Sequence, residues 1–138
     1  VGGGLKLDVA GFSIVGSGYY GDGVGTTFMF GQSCCALDVL GQKRKSWGYI
    51  GQATYTPPGS KWTIGGSWGD SRLKTTDNDP PEALNSVVKS NRAADGILIF
   101  QWTKALKWVA EYTFATSEAF SGAKTKSNQG TTGFMLFF

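Results

Sequence analysis

Between residues 106 and 116 the side chains change character at every step. Leu106, Trp108, Ala110, Tyr112, Phe114 and Thr116 alternate with Lys107, Val109, Glu111, Thr113 and Ala115. A pleated strand sends successive side chains to opposite faces, so this stretch sets an apolar, aromatic face against a polar or small one. Residues 131–138 repeat it through Thr132, Phe134, Leu136 and Phe138. Residues 94–103 place Leu98, Phe100 and Trp102 opposite Asp95, Gln101 and Thr103, and residues 61–71 set Trp62, Ile64 and Trp68 against Lys61, Thr63, Ser67 and Ser71. In residues 47–56, Trp47, Tyr49, Ala53 and Tyr55 oppose Gln52, Thr54 and Thr56. Residues 5–20 begin with Leu5, Leu7 and Val9 against Lys6 and Asp8. There the apolar phase shifts after Ala10 and Gly11 to Phe12 and Ile14, which predicts a β-bulge. The expectation is an all-β chain of about six antiparallel meander strands, forming one domain over residues 1–138 with no separate second domain.

Composition narrows what such a sheet can do. With 41% hydrophobic and only 17% charged residues, the chain is too apolar to be disordered. Histidine is absent, which removes Ser-His-Asp and Cys-His nucleophile systems and every His-based zinc site. The net charge of +3 comes from scattered residues, with no basic stripe for nucleic acid. No apolar run reaches the roughly 18 residues of a transmembrane helix, but a β-barrel crosses a bilayer with alternating strands of about 9–11 residues. Any signal peptide is expected to lie outside this sequence.

Connection lengths add a direction. Residues 56–60, with Pro57, Pro58 and Gly59, and residues 103–105 read as tight turns. Residues 21–46, 75–91 and 119–129 read as long loops, and within the second of these Asp79, Pro80, Pro81, Glu82, Ala83 and Leu84 read as a capped short helix. Long and short links alternate, so all long loops are expected at one end of the sheet, the habit of outer-membrane barrels. The rings agree: Tyr55, Trp62, Trp102, Trp108 and Phe138 fall toward the short-turn end, and Trp47, Tyr49, Trp68 and Phe114 toward the long-loop end. With Tyr112, these residues are the candidate girdle at two membrane interfaces. The opposite face is small and polar, with Lys6, Asp8, Gln52, Lys61, Asp95, Gln101, Lys107 and Glu111 as candidate pore-lining residues.

The closing stretch Gly133-Phe134-Met135-Leu136-Phe137-Phe138 resembles the C-terminal strand of Gram-negative outer-membrane proteins. Residues 47–55 and 107–113 look like strands of the general, trimeric-type porins. The resemblance implies a multi-pass transmembrane β-barrel in the outer membrane, forming a water-filled channel for passive diffusion of small hydrophilic solutes and ions. It also implies no enzymatic activity, no cofactor, a homotrimer, contact with membrane lipid and lipopolysaccharide, and use of Phe138 as the signal read by the barrel-insertion machinery. Six strands cannot close a barrel, so the sequence is read as the C-terminal part of a larger, 16-stranded or so, barrel. The alternative is a small eight-stranded barrel, its two missing strands at residues 24–31 and 36–40, acting as a binding or adhesion module through its long loops. A soluble lipocalin-like carrier would invert the faces.

Other chemistry is thin. Cys34 and Cys35 are adjacent, and free thiols or bridges to external partners are expected in preference to a strained vicinal disulfide. Lys43, Arg44 and Lys45 form a basic run that is either solvated or attracts lipopolysaccharide phosphates. Asp95 and Glu111 could form a glycosidase-like carboxylate pair only at a separation that the sequence does not fix.

Overall fold

The computed structural model describes residues 1–26 and 35–138. The described residues form seven strands: β1 (Gly2–Val9), β2 (Phe12–Asp22), β3 (Lys45–Tyr55), β4 (Trp62–Leu73), β5 (Val88–Gln101), β6 (Leu106–Ala119) and β7 (Lys124–Leu136). One short helix, α1 (Pro81–Leu84), lies between β4 and β5. The strands make a single antiparallel sheet in chain order, and the sheet does not close, so β1 and β7 are its edges.

The seventh strand comes from residues 5–20, which form a hairpin instead of one bulged strand. Val9 pairs with Phe12 across a two-residue turn in which Ala10 has φ 48° and Gly11 has φ 85°. Both values are positive, as the twist of a two-residue hairpin requires. A side chain at residue 11 would also strike the Thr56 carbonyl oxygen, 2.3 Å from an ideal Cβ, in the neighbouring turn. A second correction falls at residues 119–129. β6 runs on to Ala119, and a tight turn over residues 120–123 returns the chain into β7, which starts at Lys124. The Ala119 N–H donates to the Ala123 carbonyl at 2.9 Å to close that turn. β7 ends at Leu136, so Phe137 and Phe138 lie beyond the strand, although the Phe137 N–H still donates to the Ala105 carbonyl at 2.8 Å.

The two extra strands of the eight-stranded alternative are not formed among the described residues. Residues 24–26 have no strand structure, and residues 27–31 lie outside the described residues. Residues 36–40 contribute only an isolated bridge from Leu37 to Lys43 around a turn. The helix at residues 81–84 forms with Pro81 in its first turn, but no side chain caps it, because the N-cap position is Pro80, which has no side-chain acceptor.

One sheet with no second layer over most of its area buries little. Among the described residues, the buried hydrophobic side chains are Leu73 and Ala93 alone. The turns over residues 10–11, 56–61 and 102–105 share one end of the sheet, and the long connections over residues 23–44 and 74–87 share the other.

Candidate functional site

Register decides which side chains share a face. Cα partners across antiparallel strands point the same way, and the pairing runs unbroken from Gln52 to Ser67, Asp95 and Thr113. By that rule Lys6, Asp8, Gln52, Lys61, Asp95, Gln101, Lys107 and Glu111 all belong to one face. Lys6 Nζ lies 3.1 Å from the Asp8 carboxylate. The Ser67 hydroxyl donates to Asp95, and the Thr113 hydroxyl donates to Glu111 at 3.2 Å. Asp95 and Glu111 stand on adjacent strands but not opposite each other, because Asp95 faces Thr113 and Glu111 faces Ile97.

The opposite face gathers Trp47, Tyr49, Tyr55, Trp62, Trp68, Trp108 and Tyr112. Trp102 joins them through edge contacts with Phe100 and Phe134 at 6.3 and 6.2 Å between ring centroids. Phe138 lies past the end of β7 and is fully exposed. Near the short turns the rings form a registered row, Trp62 with Phe100, Trp108 and Phe134. Phe12 stacks on Tyr55 at 4.3 Å, and Trp62 lies 4.6 Å from Phe100 and 6.4 Å from Trp108. A second level recurs six residues along each strand, from Tyr55 to Tyr49, Trp62 to Trp68 and Trp108 to Phe114, about 20 Å away at the rise of an extended chain. Both levels step by two residues between β3 and β4, so their separation holds as the row moves across the sheet. Tyr112 sits inside the second level, beside Gly96 and Gly130. Most of these rings are open: Trp62, Trp68 and Trp102 keep 44%, 46% and 55% of their surface exposed.

Beyond the second level the same face turns charged. The Asp70 carboxylate accepts from Arg72 at 2.8 and 3.0 Å and from Arg92 at 3.3 Å. Arg92 lies over the Trp68 ring at 5.8 Å, and Arg72 over Trp47 at 5.2 Å. Glu118 is flanked by Lys89 at 3.3 Å and Lys124 at 3.4 Å. With Lys126 opposite Thr116, five cations surround two acids in this belt.

The long connections are tied to each other by polar groups. Arg44 pairs with Asp79 through two of its nitrogens, both side chains almost fully enclosed, and donates to the carbonyls of Cys35 (3.0 Å) and Leu37. Asp38 accepts from the Leu40 and Gln42 N–H groups, the Thr76 hydroxyl and the Asn78 amide. The Arg44 guanidinium holds the Asp79 carboxyl below the usual carboxylate range, against the opposing effect of burial, with help from the Thr76 N–H. The Thr76 hydroxyl does the same for Asp38, helped by the Gln42, Asn78 and Leu40 donors. The first of these connections reaches the polar face, where the Tyr19 hydroxyl donates to the Gly25 carbonyl at 2.9 Å and the Ser46 hydroxyl to that of Gly21 at 3.3 Å. Tyr19 also lies over Gly48, where an ideal Cβ would come within 2.6 Å of its ring.

The basic run of residues 43–45 is therefore not three solvated cations, since Arg44 is 3% exposed inside this clamp. Cys35 is disulfide-bonded, which corrects the expected free thiol, while Cys34 lies outside the described residues. Sequence spacing missed the clamp and the charged belt, because nothing local links Arg44 to Asp79 or Asp70 to Arg92. The pattern of apolar positions ending at Trp68 and Phe114 was the available signal for the belt. Among the described residues no group of three or more Cys, Asp or Glu gathers as a metal site. No family model, curated protein or solved structure matches the chain.

Proposed function

We propose that this sheet is part of a transmembrane β-barrel of the Gram-negative outer membrane, of the general porin type, whose aromatic face meets lipid and whose polar face lines a water-filled channel. The observation that carries this reading is the sorting of the two faces. Open indoles stand on one side at two levels of constant separation, and every charge of the candidate pore-lining set stands on the other. The apolar positions of β6 from Leu106 to Phe114 match the strand length a bilayer needs. In water such a face would be an aggregation liability; against hydrocarbon it is stabilising.

In this reading the unpaired edges β1 and β7, exposed along their whole length, are completed by further strands of a larger barrel, because lipid would not satisfy their backbone groups. The charged belt beyond Trp68 and Phe114 lies at headgroup depth, where Arg72, Arg92, Lys124 and Lys126 suit lipopolysaccharide phosphates. Three such barrels associate, and Phe138 presents the insertion signal. Passive diffusion needs no catalytic group. The direct test is reconstitution of the full-length protein in planar bilayers, where stepwise ohmic conductance is expected and a tight, non-conducting barrel would refute the channel. The clamped loop end favours a second reading, a small barrel that binds a partner through its loops. Partner capture that is abolished in a loop-deleted variant, by a protein that does not conduct, would select it.

A further inference from the structure

The polar-face charges include as many acids as lysines, yet they do not cancel in place. Lys6 and Asp8 neutralise each other at 3.1 Å, and Asp95 and Glu111 stand in the middle of their strands with hydroxyl partners. Lys61 and Lys107 instead flank Gln101 in one registered row at the short-turn end, where the Gln101 N–H donates to the Lys61 carbonyl at 2.8 Å. Lys104, in the turn between β5 and β6, faces the same open recess of about 730 Å³, which Trp102 and Phe137 also line. No carboxylate lines it among the described residues. Lys107 Nζ sits 5.1 Å from the Phe137 ring centre, which stabilises the cation without neutralising it. The nearest acid along β6 is Glu111, four residues away, or about 13 Å of extended chain. That exceeds the Debye length of about 8 Å at physiological salt, so the acid does little to offset the lysines.

We propose that Lys61, Lys104 and Lys107 form a binding recess for small phosphate-bearing solutes at the short-turn mouth, with Phe137 receiving an apolar or ring portion of the solute. This deepens the channel reading, on which the position at a pore mouth rests. Three lysines line one recess whose lining side chains include no acid, so an anion there relieves their mutual repulsion and gains charge-assisted hydrogen bonds. The recess concentrates phosphorylated solutes before they enter the pore and biases the channel toward anions at this end.

The test uses the full-length protein in lipid-free neutral detergent, which leaves no lipid headgroup as a source, and radiolabelled inorganic phosphate in equilibrium dialysis. The K61Q/K104Q/K107Q variant is expected to bind phosphate roughly tenfold more weakly than the parent, and K74Q, which removes an exposed lysine at the opposite end of the sheet, to leave binding unchanged. K104Q alone, in an exposed turn that the sheet does not depend on, is expected to give a smaller loss of the same sign. Equal binding by parent and triple variant, or no saturable binding by the parent, overturns the proposal. Zero-current potentials in planar bilayers separate the two readings. A conducting parent whose anion preference the triple variant leaves unchanged keeps the channel and removes the recess. A non-conducting parent that binds phosphate through these lysines keeps the recess and removes the channel.

Discussion

Over the aromatic face, Trp62, Trp68, Tyr112 and Phe134 leave 44–65% of their surface open, whereas at the loop end Thr26, Ser46 and Ser71 are completely enclosed. The usual arrangement is reversed: large apolar groups lie outside, and small polar ones form the dense part. Enclosed polar groups are costly unless their hydrogen bonds are made: Arg44, Asp38 and Asp79 bond one another's connections and the Ser46 hydroxyl donates to the Gly21 carbonyl, whereas the Ser71 hydroxyl has no partner among the described residues. The rings of the band find few partners within the chain, whereas the loop end is held by contacts within it. Perturbing one should therefore leave the other intact.

The largest separation is expected from Asp79→Ala. It strands the Arg44 guanidinium in an enclosed site, at a local cost of about 3–5 kcal/mol. Limited proteolysis should then cut residues 36–44 and 74–79 early while the strands resist, and parental cleavage rates would show the loops to be held by something else. Next is the contrast between neighbours Ala110→Arg and Glu111→Arg, which project to opposite faces of β6. If hydrocarbon covers the aromatic face, the first costs about 2–4 kcal/mol in urea-titrated refolding into liposomes and the second almost nothing. Equal costs would remove the distinction between the faces.

Acid should loosen the loop connections. Asp38 and Asp79 titrate below the ordinary carboxylate value of 3.8, so their stabilisation is fully present above it and disappears as pH falls through their lowered values. Hydrogen exchange should show loop amides losing protection below that pH while β3 to β6 keep theirs. The smallest effect concerns turns. Gly59→Ala introduces a side chain at φ 74° with open space around it, costing about 1–2 kcal/mol of strain. Gly11→Ala adds a clash with Thr56 and should lower the urea midpoint further.

The faces were legible because a period of two survives any misjudged boundary: each candidate girdle residue in a strand and each candidate pore-lining residue fell on its expected side. The missing hairpin has a physical explanation. A two-residue turn puts Val9 and Phe12 on one face, the same parity shift a bulge produces, and Ala10 is not a residue that advertises positive φ. The long reading of residues 119–129 failed because Ser127, Gln129, Lys124 and Lys126 carry no apolar face, although that part of β7 pairs regularly with β6. The clamp was illegible because Arg44 and Asp79, 35 residues apart, meet only after the β3–β4 hairpin between them is in place.

The open edges carry an arithmetic of their own. In a meander of seven strands the first and last run in the same direction, so β1 and β7 could meet only as a parallel pair. Any ring that keeps every neighbour antiparallel must therefore recruit an odd number of additional strands, whether one for the smallest closed form or many more for a wide one. Parity, ahead of any measurement of mass, limits which closed rings could contain this sheet.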